Sequence, residues 1–169
     1  MRQGTIMEKD IGVGIIGVGM GANALFVNRE HDSRLEVRAL CAATEAKAAR
    51  LARQWGIGVW TTDYRELVAR DDIQVVGVYS PDLLHAEHAA AALRAGKHVI
   101  CTKPMCTSVD DAAMLVRLVD ETGLLFLVGQ TMRFAPEFSN AKRMLDDGDL
   151  GEIIFGEAHY VHDARTFFP

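Results

Sequence analysis

The first residues whose types and spacing could do chemistry are Gly17, Gly19 and Ala22, within the stretch Ile-Gly-Val-Gly-Ile-Ile-Gly-Val-Gly-Met-Gly-Ala-Asn-Ala at 11–24. Gly-x-Gly-x-x-Ala is a spacing used to bind a dinucleotide, with Gly or Ala allowed at the third position. The first glycine permits a tight turn and the second lets the backbone approach a pyrophosphate. The third, small residue lets a helix pack on a strand. The pyrophosphate would rest on unpaired N–H groups at the helix start, which makes Gly17, Gly19, Met20, Gly21 and Ala22 the expected phosphate contacts. The glycines offer two overlapping registers, so the match gains weight only if a strand precedes it, a helix follows and a parallel alternation continues.

Other reactive side chains are read against simpler roles. His85 and His88 could be imagined as metal ligands on a helix, but no acidic or cysteine partner stands at ligand spacing, so His85 is preferred as a cleft residue and His88 as a surface one. Cys101 and Cys106 flank Lys103, yet no close resolving pair supports redox chemistry, and cysteine is often simply buried. Lys103 by itself reads as a solvated lysine at a strand exit. His159, His162 and Asp163 are balanced between substrate contacts and an ordinary strand surface.

The elements that must position these residues alternate at short spacing. A strand at Ile11 leads into the glycine turn and a helix from Ala22 to about Glu30. Leu35 to Cys41 reads as a second strand, and Thr44 caps a helix that Gly56 ends. A short strand near Val59-Trp60 and a helix from about Asp63 to Ala69 follow. Ile73 to Tyr79 is a nearly continuous apolar run, as expected of a parallel strand covered on both faces. Ser80-Pro81-Asp82 breaks it before a helix through Ala86, Ala89, Ala90 and Leu93, with a stop at Gly96. His98 to Cys101 is the next strand, and Ser108 caps a helix ending at Gly123. Leu124 to Val128 is a sixth strand. The expected fold is α/β, a doubly wound parallel sheet with right-handed crossovers.

After Gly129 the pattern changes. Pro136 fits the first turn of a helix carrying Phe138, Ala141, Met144 and Leu145, with Gly148 at its end. Ile153 to Val161 reads as a long strand with no following partner, an exposed edge. The expected organisation is a loose polar leader at 1–10, a dinucleotide-binding domain at 11–130, and the beginning of an incomplete second, sheet-based domain at 131–169.

The 169 residues carry a net charge of −5 and 24% charged residues with no basic face, which argues against a general nucleic-acid binder. Three cysteines do not make a secreted disulfide scaffold, and buried free thiols in a reducing cytoplasm are expected. No apolar run approaches the roughly 20 residues that span a bilayer, and no signal-peptide hydrophobic segment is read at the start, so no membrane partner is expected.

Further stretches extend the pattern: Ser80-Pro81-Asp82-x-x-His85-Ala86-Glu87-His88, Ala92 to Cys101, Thr102-Lys103-Pro104, Arg133-Phe134-Ala135-Pro136 and Gly148-x-x-Gly151-x-Ile153. Together with the glycine turn, and in this order, they resemble the glucose-fructose oxidoreductase and inositol dehydrogenase family (Gfo/Idh/MocA) from Ile11 to nearly the end of the chain. The resemblance implies a two-domain NAD(P)-dependent oxidoreductase. Its second domain supplies substrate contacts and often an oligomer interface, so a homo-oligomer is implied if that domain is completed. It implies a small sugar- or polyol-like substrate. It also implies that Lys103 lies near the nicotinamide and substrate hydroxyl, polarising the reacting oxygen or sharing in proton transfer. Ser80, Pro81, His85, Thr102 and Arg133 become expected cofactor contacts, with a surface cation as the simpler reading of Arg133.

Two departures qualify these implications. Thr102 stands where the family motif Glu-Lys-Pro has glutamate, so that carboxylate's charge is absent. The family's catalytic Asp and His would fall beyond Pro169, so an incomplete active site is expected of this chain alone. A third point comes from the strand itself. An acid holding the ribose hydroxyls of NAD is expected roughly 20 residues after the glycine turn, yet Cys41-Ala42-Ala43-Thr44 offers none. Glu45 falls in a helix's first turn, where an acid suits the dipole. Ala42, Thr44 and Lys47 leave room for a 2′-phosphate, so the cofactor is NAD or NADP with a slight lean to NADP. The other reading is a dinucleotide-binding sensor or assembly module without turnover.

Overall fold

The computed structural model describes residues 11–29, 34–161 and 163. The leader at 1–10, residues 30–33, His162 and the last residues at 164–169 lie outside the described residues. The chain divides into two compact units, Met1–Gln130 and Thr131–Pro169.

The first unit holds six parallel strands in the order β3-β2-β1-β4-β5-β6. They are β1 (Ile11–Ile16), β2 (Leu35–Cys41), β3 (Val59–Thr61), β4 (Val75–Val78), β5 (His98–Thr102) and β6 (Phe126–Gly129). Four α-helices connect them: α1 (Glu45–Trp55), α2 (Tyr64–Val68), α3 (His85–Arg94) and α4 (Val109–Thr122). The order reverses between β1 and β4, where connections leave in opposite directions and a crevice must open at the carboxyl ends of the strands.

Alternation along the strands feeds two apolar clusters. Val13, Ile15, Val37 and Leu40 pack with Leu25 and with Ala48, Leu51 and Ala52 of α1. Ile16, Ala39, Cys41, Val76, Val78, Val99 and Cys101 pack with Leu67, Leu93 and Leu115 of α2, α3 and α4. Val37 and Ala39 fall in different clusters although two residues apart. The cause is a bulge: Val13 pairs with Val37 but Gly14 with Ala39, which leaves Arg38 as the extra residue. Arg38 turns its guanidinium to Glu36 and to the carbonyl of Asp72.

The caps form as the side chains dictate. Thr44 accepts from the backbone N–H of Lys47, Ser108 accepts from that of Asp111, and Gly56 and Gly123 end α1 and α4 in the left-handed region. Some boundaries differ from expectation. The segment after the glycine turn is a 3-10 helix, Met20–Arg29, instead of an α-helix from Ala22. It contains Gly21, Asn23, Val27 and Asn28, all weak helix formers, and Asn28 is drawn into the sheet. There its side-chain amide donates to the carbonyl of Val37 (3.1 Å) and accepts from the N–H of Val37 (2.6 Å), beyond the end of β3. β4 is shorter than Ile73–Tyr79, because the N–H of Ile73 closes a turn on the carbonyl of Arg70. β6 begins at Phe126 because the N–H of Leu125 is taken by Nδ1 of His98.

In the second unit α5 (Pro136–Asp146) starts with proline in its first turn. Residues 153–161, expected as a strand, make no ladder among the described residues. A strand exists only through a partner's N–H and C=O groups. No helix of the described residues is long and apolar enough to cross a membrane.

Candidate functional site

A cavity of about 440 Å³ opens at the carboxyl edge of the sheet, where its order reverses. Its floor is the glycine turn. Gly17 has φ 89°, and a Cβ there would run into the backbone of Tyr79 and Ser80. Only glycine allows β1 and β4 to approach this closely at the turn. The Gly17 N–H donates to the carbonyl of Cys41 (3.0 Å), and Tyr79 N–H donates to the carbonyl of Ile16 (2.7 Å), so the exits of β1, β2 and β4 are tied together. At Gly19 the situation is opposite: a Cβ would meet nothing within 4 Å, and the residue lines the cavity. That open space beside exposed backbone fits the close approach of a phosphate.

The exit of β2 forms the next wall, with Ala42, Ala43 and Lys47 lining the cavity. Among the described residues that line it, Lys47 is the only lysine or arginine, and none is a carboxylate. Thr44, expected here, does not line it. Its hydroxyl is spent on capping α1, on the N–H of Lys47 at 3.4 Å. Cys41 is buried at this wall, and burial pushes its thiol up to about 11, so it stays a neutral, inert thiol.

The third wall is the turn after β4. Ser80 and Pro81 line the cavity as expected. His85 does not. It is 0% exposed at the first turn of α3, with Nδ1 2.7 Å from the carbonyl oxygen of Pro104 and Nε2 2.8 Å from that of Ser80. The expected cofactor contact is instead a buried tie beneath the wall. His88, expected at the surface, is 7% exposed and reaches the cavity, its Nδ1 2.8 Å from Ser80 Oγ. Burial lowers its pKa below the ordinary 6.5. The Tyr64 ring tilts against it at a centroid distance of 4.4 Å, and the Tyr64 hydroxyl donates to Glu87 at 2.6 Å.

Residues the sequence reading missed at the cavity include Thr62, Tyr64, Tyr79, Leu84 and His88. Two signals existed. Thr62 and Tyr79 follow β3 and β4 directly and so belong at the carboxyl edge. His88 lies three residues after His85 and therefore on the same helix face.

The remaining expected residues are not among the described residues that line the cavity. Lys103 is exposed just after β5, and Thr102, the last residue of that strand, pairs with Gly129. Neither lines the cavity described above. The side chains of Met20, Gly21 and Ala22 are outside what is described, and their backbone lies in the 3-10 helix. Arg133 is exposed in the second unit, where its carbonyl accepts from Ser139 Oγ at 3.2 Å. Cys101 is fully buried, its thiol pushed up to about 12 by burial. Among the described residues no three His, Cys, Asp or Glu side chains cluster as metal ligands.

Comparisons with known proteins agree with this geometry. Residues 11–130 match the model of the oxidoreductase family with an NAD-binding Rossmann fold, GFO_IDH_MocA. The chain is 34% identical over 130 residues to levoglucosan dehydrogenase of Pseudarthrobacter phenanthrenivorans, covering 76% of this chain and 33% of that protein. It is 31% identical over 152 residues to inositol 2-dehydrogenase/D-chiro-inositol 3-dehydrogenase of Lactiplantibacillus plantarum, covering 88% and 43%. Among solved structures, scyllo-inositol dehydrogenase from Lactobacillus casei with bound NAD(H) and scyllo-inositol superposes with a TM-score of 0.80 at 26% identity, covering 86% of this chain and 43% of that one. The chain therefore spans less than half the length of these relatives. With the glycine turn, the reversal of strand order and the family match all lying within 11–130, the chain belongs to the Gfo/Idh/MocA oxidoreductase family and carries its NAD-binding Rossmann fold.

Proposed function

We propose that this chain is the cofactor-binding half of an NAD(P)-dependent oxidoreductase that interconverts C–OH and C=O on a sugar, cyclitol or related small hydroxyl compound in a reducing cytoplasm. The observation that carries the reading is the cavity where the strand order reverses, walled by the glycine turn, the acid-free exit of β2 and Ser80-Pro81. Relatives named for levoglucosan and inositol oxidation support the substrate class. Gly17 and Gly19 admit the pyrophosphate, with the N–H groups from Met20 to Ala22 beside it. Ala42, Ala43 and Lys47 surround the adenosine ribose, where the Lys47 ammonium, with no carboxylate among the described residues lining the cavity, favours a 2′-phosphate and hence NADP. The nicotinamide, when bound, supplies the hydride chemistry. Lys103, exposed at the exit of β5, polarises the substrate oxygen or shares its proton. Thr102 replaces a glutamate's hydrogen bonding in part and its charge not at all. Arg133 adds a cation toward cofactor or substrate, and the protein assembles as a homo-oligomer through its second domain.

A second reading, a dinucleotide sensor or assembly module without turnover, draws on Thr102. A panel of polyols and sugars with NAD⁺ and NADP⁺ separates the two. Substrate-dependent formation of NADH or NADPH is the expected result and excludes the sensor. Saturable cofactor binding with no turnover of any hydroxyl compound by the intact gene product would overturn the enzyme reading.

A further inference from the structure

His85 is a buried titratable group that the proposed chemistry does not use. It is 0% exposed, and its two ring nitrogens reach carbonyl oxygens on two different segments, Ser80 at 2.8 Å and Pro104 at 2.7 Å. Ser80 follows β4 and lines the cavity; Pro104 follows Lys103 directly. Ser80 is gripped a second time from the same helix face, because His88, three residues on, meets its hydroxyl at 2.8 Å. The Ser80 turn in turn abuts Gly17, where no side chain has room. Contacts thus run from the glycine turn through Ser80 and the His85 ring to the residue that follows Lys103.

We infer that His85 is the positioning residue of this site, a strut whose ring spans the Ser80 and Pro104 carbonyls and so sets the Lys103 turn relative to the cofactor cleft. The inference rests on the proposed role of Lys103. A phenylalanine would fill the volume but remove the ring's N–H donation to these carbonyls, one bond for a neutral imidazole and two for an imidazolium, and losing the donor to a sequestered carbonyl is costly. A glutamine brings back a donor on a flexible stem that reaches one carbonyl at a time. Lysine and the cleft are set by different strand exits, β5 and β4, and the ladder between them ends at Cys101 and Val78. Beyond the ladder a side-chain tie must hold the two turns in register.

The test compares the full chain with His85→Phe and His85→Gln by amide ¹H–¹⁵N spectra without cofactor, and by NADPH titration well below each variant's Tm. In His85→Phe the amides of 80–82 and of 103–106 shift together, and NADPH binding weakens about tenfold, the equivalent of one lost buried hydrogen bond. His85→Gln recovers part of that binding, whatever its Tm, whereas a merely structural role would have affinity follow stability. Shifts confined to α3 or to one of the two turns overturn the strut, as does unchanged binding in His85→Phe. If the Phe variant does not fold, the same shift criterion applies to His85→Gln. The spectra need no cofactor, so a wild-type chain that binds neither dinucleotide removes the proposed function while the spectra still decide the strut.

Discussion

Leu93 on α3 and Leu145 on α5 occupy similar places on short amphipathic helices of 10 and 11 residues, yet Leu93 is 1% exposed and Leu145 44%. The difference lies in what the helix faces. α3 lies against a sheet whose strands offer Val76, Val78, Val99 and Cys101. Within the described part of 131–169 no residue is buried, and Ile154, Phe155 and Val161 are 93%, 79% and 88% exposed. Amphipathic periodicity is enough to specify a helix, whereas a core needs a second layer to receive the apolar face.

The largest contrast to test is therefore between these leucines. Leu93→Ala should lose about 2–5 kcal/mol of stability, as buried leucines do. Leu145→Ala should change it by no more than about 0.5 kcal/mol, as exposed sites do. Urea unfolding with a fixed m-value measures both, and equal effects would break the comparison.

Two glycines with positive φ sharpen it further. Gly17 and Gly148 have φ of 89° and 78°, but only at Gly17 does a Cβ meet backbone. Gly148→Ala should cost about 1 kcal/mol from conformation alone. Gly17→Ala should cost about 2 kcal/mol or more and abolish dinucleotide binding, because the β1 and β4 exits must part.

The smallest effect is a pH dependence within the first unit. Burial keeps His88 neutral by lowering its pKa below 6.5, so the unfolded chain takes up a proton first as pH falls. The stability His88 contributes is complete above pH 6.5 and is lost as pH drops toward its folded value. His88→Gln should flatten the stability profile below pH 6.5 and leave it unchanged above. A steeper acid loss in that variant would contradict the assignment.

The same contrast explains what could be read from the chain without its structure. The six strands and the caps Thr44, Gly56, Ser108 and Gly123 were legible because each depends on local pattern or on one side chain. The Arg38 bulge was not, because alternation by two cannot announce an extra residue until a partner strand sets the register. The 3-10 helix escaped for a related reason: Asn28 is recruited by Val37 across the fold. At the site, Gly17, Gly19, Ala42, Ser80 and Pro81, expected from motif and strand order, line the cavity. His85 and His88 exchanged roles, since spacing shows that two histidines share a helix face but not which one burial will take. The strand expected at 153–161 depended wholly on a partner, and among the described residues it has none.

The proposed function puts a dinucleotide site within 11–130 whose ribose end favours a 2′-phosphate. Its most direct test is a fluorescence titration of the full chain with NADPH and NADH in parallel, repeated with Lys47→Gln. Saturable binding below millimolar concentration is expected, with NADPH the tighter ligand and its advantage lost in the variant. Absence of saturable binding for both nucleotides would contradict the account, and NADH binding more tightly than NADPH would contradict its assignment of Lys47.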